Sequence, residues 1–513
     1  MAYPKLSRKW LTHAISENMQ SVSLPPLTAL GYPEKILQFG SGAFLRGFFD
    51  FFIDQANRQG VFKGRIVVVQ STGGGRANVL KEQDGLYTVC VQGLRDGTPV
   101  EEFRVCGSVS RAISAGDAWP EVLAVAENPA LEIIVSNTTE IGIVFDEGDQ
   151  IDAQPPATFP GKLTAALHQR YKAFQGDLSK GVIILPCELL EDNGEVLKKI
   201  VLQLADTWQL DAGFKHWVQT ANQFCNTLVD RIVPGTPAKD RLPSFFEKTG
   251  FQDGLLTAAE VYSLYAIEGD DQLRKKLAFP EANPAIIVDK DITPYRERKL
   301  RLLNAVHTIN VPAAFLTGNK HVIDMMNHPL NAPLLEKTIR EEIGAALDMD
   351  PGIVRGYIDE VLSRFRNPYL KHALIDITFQ STSKMKVRVL PMVERYYRKF
   401  NRPPEGICFG FAAYLLFMKS VQAEDNRYFG RLNHSLYPIN DNKADYFYVL
   451  WQTIGEENGA DINHMVRKVC QDESLWGINL AALPDFCETV ANHLNLIIAE
   501  GIETALQKRI SGK

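Results

Sequence analysis

Lys35–Gly47 reads KILQFGSGAFLRG, and the order of residue types in it decides the fold. Lys35–Gly40 is a short, mostly apolar run stopped by a glycine, the pattern of a buried strand that ends in a turn. Beyond the turn, Ala43–Gly60 (AFLRGFFDFFIDQANRQG) carries apolar residues at helical spacing and closes on a glycine, which predicts one helix with a glycine C-terminus. Strand, glycine turn and helix in that order are the context of a dinucleotide-binding motif. Gly40 can take the dihedrals of a tight turn. Gly42 leaves the main chain open to a pyrophosphate, and the helix start offers N–H donors and a positive dipole end. Leu45 stands where the third glycine of G-x-G-x-x-G falls, so on spacing alone the segment also suits an ordinary strand-turn-helix corner.

Further along lie RIVVVQST (Arg65–Thr72), EIIVSNTT (Glu132–Thr139) and GVIILPCE (Gly181–Glu188), near-continuous apolar runs separated by helical segments. Strands apolar on both faces that alternate with helices predict a parallel sheet covered on both sides. The texture changes near residue 285, after which the pattern is mostly helical. The expected fold is α/β: a Rossmann-like domain over residues 1–285, then a mostly α-helical substrate and catalytic domain over 286–513. A length of 513 residues exceeds what one hydrophobic core supports. No repeat and no long Gly/Ser linker interrupts the chain, so the two parts are expected to pack closely, with the ligand site in a cleft.

Composition excludes several classes. Hydrophobic residues at 45% and charged residues at 23% are ordinary globular usage. A net charge of −6 offers no global field for a nucleic acid or an anionic membrane, so neither is expected as a partner. The 7 cysteines form no C-x-x-C pair, which argues against a disulfide framework and a thiolate zinc site. His321 and His328 stand seven residues apart and read as paired core or surface histidines, and no metal is expected. The longest apolar run, Ile407–Met418, is shorter than the ~18–20 residues that cross a bilayer and reads as a buried helix. No secretory segment follows the N-terminal basic residues, and a cytoplasmic location is expected.

Two local patterns carry chemistry. At the end of the second strand stand Gln70, Ser71 and Thr72, where an acid usually takes the ribose hydroxyls, and Arg76 lies beyond Gly73–Gly75. This segment leaves the choice between NAD and NADP open. In KLRLLNAVH, on a helix expected to start at Thr293-Pro294 and continue through His307, Asn304 and His307 are i,i+3 neighbours. Lys299 lies about 80° round from His307 at ~100° per residue. Dehydrogenation of an alcohol needs a base for the hydroxyl proton and donors for the developing alkoxide, and a desolvated lysine can be that base. A lysine in a basic first turn is more often solvated, so spacing alone leaves both roles open.

K-x-x-x-x-N-x-x-H at Lys299–His307, G-x-G-x-F-x-R at Gly40–Arg46, S-N-T-T-E-x-G at Ser136–Gly142 and V-D-R-I at Val229–Ile232 resemble the polyol-specific long-chain dehydrogenase/reductase family over most of the chain. PCELLEDNG (Pro186–Gly194), FCNTLVDRIV (Phe224–Val233) and RFRNPYLKH (Arg364–His372) are similar to a branch of it that acts on sugar acids. The resemblance implies an NAD-dependent oxidoreductase that needs no metal, with Lys299 as general acid/base and Asn304 and His307 on the reacting oxygen and its neighbouring hydroxyl. It implies that Ile36, Leu37, Gln38, Phe39, Gly40, Ser41, Gly42, Ala43, Phe44, Leu45, Arg46 and Gly47 hold the pyrophosphate. Asn137, Thr138, Thr139 and Glu140 would lie near the nicotinamide ribose, and Val229 and Asp230 beside the cofactor, with Asp230 facing the substrate. Lys384, in S-T-S-K, matches a substrate-contacting lysine.

The chain departs from the mannitol enzymes of that family in two places. Their C-D-N segment is Cys187-Glu188-Leu189 here, so its asparagine contact is lost or passes to Asn193. Their arginine eight residues before the substrate lysine is Asp376. Lys371, His372, Lys384, Lys386 and Arg388 form a basic stretch that suits the carboxylate of a sugar acid better than a neutral polyol. The expected partner is a small-molecule sugar acid, and the expected assembly a monomer or small homo-oligomer. A dinucleotide-binding protein without turnover is the alternative of another class, and the intact Lys299, Asn304 and His307 set speaks against it.

Overall fold

The structure, a computed structural model, describes residues 3–71, 73, 75–138, 142–454 and 459–511. The chain forms two compact units, Met1–Thr293 and Pro294–Lys513.

The first unit contains β1 (Glu34–Phe39), β2 (Arg65–Gln70), β3 (Tyr87–Arg95), β4 (Thr98–Cys106), β5 (Val109–Ser114) and β6 (Ile133–Ser136). It continues with β7 (Ile183–Pro186), β8 (Gln223–Phe224), β9 (Thr227–Asp230), β10 (Thr257–Glu260), β11 (Leu264–Glu268) and β12 (Ile286–Asp289). Six strands form one sheet in the order β5-β2-β1-β6-β7-β8, every pair parallel. Counted in order of appearance, this is the 3-2-1-4-5-6 doubly wound arrangement, whose order reverses between β1 and β6. Leu37 pairs with Val67 on one side and with Ile134 on the other. Alternate residues feed two cores: Ile36, Ile66 and Val68 pack with Phe48, Phe52 and Tyr265 on one face, while Leu37, Val67 and Ile134 pack with Trp119, Leu163 and Trp217 on the other. Apolar burial on both faces is why these strands read as uninterrupted hydrophobic runs.

Ala43–Gly60 is not one helix. It breaks into Ala43–Arg46 and Phe49–Arg58, with Phe48 non-helical at φ −130°, ψ −86°. Gly47 at this break packs against Val233, where a Cβ would stand 2.8 Å from Val233 Cγ1. β3 and β4, which do not read as apolar runs in the sequence, form an antiparallel hairpin closed by Asp96 and Gly97, both at positive φ. Asp-Gly is the two-residue turn such a hairpin favours.

The second unit is mostly helical, with a small antiparallel sheet of β13 (Gln422–Glu424), β14 (Arg427–Leu432) and β15 (Ser435–Pro438). The helix Glu405–Phe417 holds the apolar run, with Ile407, Phe409, Phe411 and Leu415 fully buried. Among the described residues no helix is long and apolar enough to cross a membrane.

Beneath the glycine turn, Asp50 is fully buried. Its Oδ2 accepts from Gln38 Nε2 at 3.5 Å and from the Tyr87 hydroxyl at 3.3 Å. Its Oδ1 and Gln38 Oε1 make no hydrogen bond among the described residues. Burial pushes the Asp50 carboxyl up to about 7, against the two hydrogen bonds and the nearby Arg46 charge that pull it down. The folded state thus keeps a proton that the unfolded chain releases near pH ~4, so this contribution to stability is complete below that pH and is lost as pH rises through about 7. Asp50→Asn removes the titration. Thermal melts from pH 5 to 8 should show the wild type losing on the order of 3 kcal/mol that the variant retains, and parallel curves would contradict the assignment.

Candidate active site

At the C-terminal ends of β1 and β6, segments distant in sequence meet. Gly40 ends β1 at φ +130°, and a Cβ there would lie 2.9 Å from the Asn137 carbonyl oxygen. Both facts require glycine. Around Gly42 nothing lies within 4 Å of where a Cβ would stand, so the main chain is open on that side. The turn is braced from beneath: Arg46, buried, donates through Nη1 to the Ser41 carbonyl at 2.6 Å and through Nε to Thr257 Oγ1 at 3.2 Å. Gln38 Nε2 donates to the Gly40 carbonyl at 3.0 Å. The expected twelve-residue binding segment therefore contracts. Ile36, Leu37, Gln38, Phe39, Leu45, Arg46 and Gly47 are buried and build the turn. Its accessible surface belongs mainly to Gly40, Gly42, Ala43 and Phe44, with Ser41 8% exposed.

The other first-unit segments are fastened to this turn. Asn137 donates from Nδ2 to the Cys187 carbonyl at 2.8 Å, and Thr138 gives both its N–H (2.8 Å) and its hydroxyl (3.1 Å) to Glu188 Oε1. Ser136 Oγ donates to Glu188 Oε2 at 3.1 Å. Glu188, in sequence only a departure from C-D-N, is the buried brace of the S-N-T turn, and burial raises its pKa. Thr139 and Glu140 lie outside the described residues, as do Thr72 and Gly74. Val229 and Asp230 are buried at the end of β9. The next residue, Arg231, donates through Nη1 to the Gly47 carbonyl at 2.7 Å, which ties V-D-R-I to the break after the glycine turn.

Asn193 does not take over the lost asparagine contact. It is fully buried; Nδ2 faces the carbonyls of Pro186 (3.0 Å) and Glu188 (3.1 Å), and Oδ1 accepts the Thr227 N–H at 2.9 Å. Its amide is committed to the main chain and has no surface to offer a substrate.

Beside β2 and β5 lies a cavity of about 350 Å³ lined by Gln70, Ser71, Asn78 and Asp117 among others. Gln70 Oε1 accepts the Ala77 N–H at 2.8 Å and so holds the start of the helix Arg76–Glu82. Asp117, which follows β5, puts a carboxylate on this cavity, where the end of β2 carries none. Arg76 is exposed.

In the second unit the lysine motif lies on a helix of three parts: Thr293–Lys299 is α, Leu300–Ala305 is π and Val306–Leu316 is α. The expected regular helix is corrected in two ways, since it runs past His307 to Leu316 and contains a π turn. A π turn holds one more residue than an α turn, which takes back about 100°. Lys299 moves from about 80° to about 20° from His307, so the two point the same way. His307 is buried, its ring stacked on Phe365 at 4.1 Å. Its Nε2 has no hydrogen-bond partner among the described residues. Burial, followed by His372, Arg364, Arg388 and Lys384, holds its pKa well below the ordinary value. The imidazole is therefore neutral near pH 7 and can donate or accept one hydrogen bond at each nitrogen.

Lys384 ends the helix Ser381–Lys384 and leads into another π turn, Met385–Val389, with Nζ donating to the Ile377 carbonyl at 3.1 Å. The two π turns pack on each other, joined by Arg301. Its Nη1 donates to the carbonyls of Val387 (2.7 Å) and Arg388 (2.9 Å), and Nη2 meets Glu297 at 3.2 Å. His321 and His328 are helix caps: His321 forms a capping box with Asp324, and His328 Nδ1 accepts the N–H groups of Leu330 and Asn331.

The model of the mannitol dehydrogenase Rossmann domain matches residues 34–281, and that of the mannitol dehydrogenase C-terminal domain matches residues 291–498. The chain belongs to the mannitol dehydrogenase family and is an oxidoreductase of the polyol and sugar-acid dehydrogenase class. Among its relatives is an altronate oxidoreductase of Bacillus subtilis (strain 168), 41% identical over 479 residues, 93% of this chain and 95% of the relative. An altronate oxidoreductase of Escherichia coli O6:K15:H31 is 36% identical over 479 residues, 93% and 97% of the two chains. Among solved structures, the Pseudomonas fluorescens mannitol 2-dehydrogenase ternary complex with NAD and D-mannitol shares the fold with a TM-score of 0.71 at 24% identity, covering 99% of this chain and 100% of that one. A D-sorbitol dehydrogenase in substrate-free form does so with a TM-score of 0.78 at 22% identity, covering 98% and 100%.

Replacing Arg301 by Met leaves the Val387 and Arg388 carbonyls without this donor and the Glu297 carboxylate with Arg395. A loss of about 2–4 kcal/mol follows, read by calorimetry as a fall of roughly 5–15 °C in the melting of the second unit. An unchanged melting temperature would mean that the π turns hold without it.

Proposed function

We propose that the protein is an NAD-dependent tagaturonate reductase that interconverts D-tagaturonate and D-altronate. The substrate is supported by the relatives named altronate oxidoreductase, 36–41% identical along nearly their whole length. The mechanism rests on one observation above all: His307, buried and neutral, keeps Nε2 without a partner among the described residues, on a helix whose π turn brings Lys299 round towards it. Asn304, one turn before it, makes no side-chain hydrogen bond among the described residues. A buried imidazole nitrogen and an unengaged amide at i,i+3 suit two adjacent oxygens of a sugar.

When bound, the nicotinamide supplies the hydride that reduces the ketone carbon, or accepts it in the reverse direction. Lys299 gives its proton to the developing alkoxide on reduction and takes it from the hydroxyl on oxidation. Asn304 and His307 hold the reacting oxygen and the hydroxyl beside it, so that charge forming on that oxygen meets oriented donors. The residues of the first unit suit the cofactor. Gly40, Ser41, Gly42, Ala43 and Phe44 would hold the pyrophosphate by main-chain N–H groups. Asn137 and Thr138, fixed by Cys187 and Glu188, would stand by the nicotinamide ribose. Asp117 favours NAD over NADP, because in the cavity beside β2 its carboxylate accepts ribose hydroxyls and repels a 2′-phosphate. The basic stretch around Lys384 supports a sugar acid over mannitol. Fructuronate, a keto hexuronate of the same charge, is the nearest competing substrate.

The first test offers tagaturonate, fructuronate and fructose separately to the purified protein with NADH and with NADPH. Rapid NADH oxidation with tagaturonate alone is expected; rapid turnover of fructose would overturn the sugar-acid reading. Lys299→Ala should lower kcat by about 10²–10⁴-fold with the fold intact, and a rate near the wild type would end the lysine mechanism. Asp117→Ser should narrow the preference for NADH over NADPH by about tenfold, measured as the ratio of kcat/KM values.

A further inference from the structure

Beneath the glycine turn, two hydrogen-bond donors are each shared between a main-chain carbonyl of the turn and one carboxyl oxygen. Gln38 Nε2 stands 3.0 Å from the Gly40 carbonyl, where the turn begins, and 3.5 Å from Asp50 Oδ2. The Tyr87 hydroxyl stands 3.3 Å from the Arg46 carbonyl, where the turn ends, and 3.3 Å from the same Oδ2. Gly42, Ala43 and Phe44, which carry most of the accessible surface, lie between those two carbonyls. A phenol has one hydrogen, so Tyr87 serves one of its two acceptors at a time.

The carboxyl itself is fully buried, and Oδ1, its other oxygen, makes no hydrogen bond among the described residues. Gln38 Oε1 makes none either. Buried acceptors without a donor are costly, and a proton on Asp50 turns Oδ1 into a donor. The neutral acid also leaves the Tyr87 hydrogen to the Arg46 carbonyl. A carboxylate would instead draw on both shared donors, at the expense of the Gly40 and Arg46 carbonyls. The charged and titratable neighbours leave this balance in place. Arg46 is the cation that acts on Asp50, and its guanidinium is engaged by the Ser41 carbonyl and the Thr257 hydroxyl. Tyr87 on β3, Cys106 on β4 and Cys187 just after β7 feel the Asp50 charge, and burial keeps all three neutral. Asp54, one turn further along the helix, is paired with Arg58. Burial outweighs the Arg46 charge and holds the Asp50 carboxyl at about 7.

We propose that Asp50 and Gln38 are positioning residues of the cofactor turn, and that the dinucleotide binds with uptake of one proton on Asp50. The inference rests on the reading that this turn holds the pyrophosphate of a nicotinamide dinucleotide. The proton passes from solvent to the carboxyl, and no other bond is made or broken. Two effects then share one sign. The neutral acid leaves Gln38 to Gly40 and Tyr87 to Arg46, which keeps the turn in its binding shape. A pyrophosphate above the turn also meets one negative charge fewer beneath it. By linkage, a bound dinucleotide favours the proton, and a rise in pH lowers the affinity for the dinucleotide.

The test is titration calorimetry of the full chain with NADH in two buffers of different ionisation enthalpy, which counts the protons taken up. At pH ~7.5 the wild type is expected to take up about half a proton per NADH. It should bind NADH about 5–10-fold more weakly at pH ~8.5 than at pH ~6. Asp50→Asn fills the same space without titrating; it should take up no proton, with an affinity that varies less than about twofold over that range. Gln38→Leu keeps the acid but cuts its link to the Gly40 carbonyl, and should lower the uptake by roughly half. It also serves if the asparagine variant melts early. A purely structural role for these residues would weaken binding equally at every pH and leave the proton count unchanged. A wild type that takes up no proton, or a variant that takes up as many as the wild type, would overturn the proposal. A wild type that does not bind NADH would instead overturn the cofactor reading, and the proposal with it.

Discussion

Between Lys299 and His307 the helix is wider by one residue than a regular α-helix, and such a turn persists where its surroundings hold it. The holding group is the Arg301 guanidinium, which reaches from this π turn to two carbonyls of the π turn after Lys384. Glu297 balances its charge and meets Arg395 at 3.0 Å as well. The phase of Lys299 against His307 and the position of the Arg388 backbone are thus set by one buried ion group. In a regular helix the lysine would point about 80° away from the imidazole, and the polar set would be divided between two faces.

The first unit is built on the same device. Arg46 holds the Ser41 carbonyl, Arg231 holds the Gly47 carbonyl and Glu188 holds the Thr138 N–H. A sharp turn leaves main-chain groups without a regular partner, and a buried charge needs several hydrogen bonds, so each satisfies the other. Loops fastened in this way behave as extensions of the sheet. Their accessible main chain, at Gly40, Gly42 and Ala43, is consequently presented in a fixed shape, as recognition of a pyrophosphate by N–H groups demands.

The parts legible in the sequence were those set by local chemistry. Near-continuous apolar strands such as Arg65–Gln70 announce a sheet buried on both faces, and a glycine at the end of β1 announces the turn. The helical texture after residue 285 was equally plain, and the lysine motif was visible as a pattern of residue types. What the sequence concealed depends on distant contacts. The break at Gly47 lies against Val233, and the role of Glu188 is set by the turn at Ser136–Thr138. Asn193 had the right chemistry for a ligand contact but lies among carbonyls from two other strands. Asp117 reaches the cavity beside β2 from after β5, a placement that the end of the second strand does not announce. A π turn leaves no local mark either, since KLRLLNAVH reads as an ordinary helix and only its packing against Met385–Val389 widens it. The hairpin is the exception, because Asp96-Gly97 was a readable signal.

The electrostatics of the second unit divide the labour among its polar groups. Buried, and facing Arg364, Arg388 and Lys384, an imidazolium at His307 would meet both a desolvation cost and repulsion from every side. His307 is therefore confined to its neutral form, in which it can orient an oxygen but does not exchange a proton with it near pH 7. Asn304 has no titrating group, and an arginine keeps its proton. In the proposed mechanism the proton transfer therefore falls to Lys299, with the oxygen held by the other two.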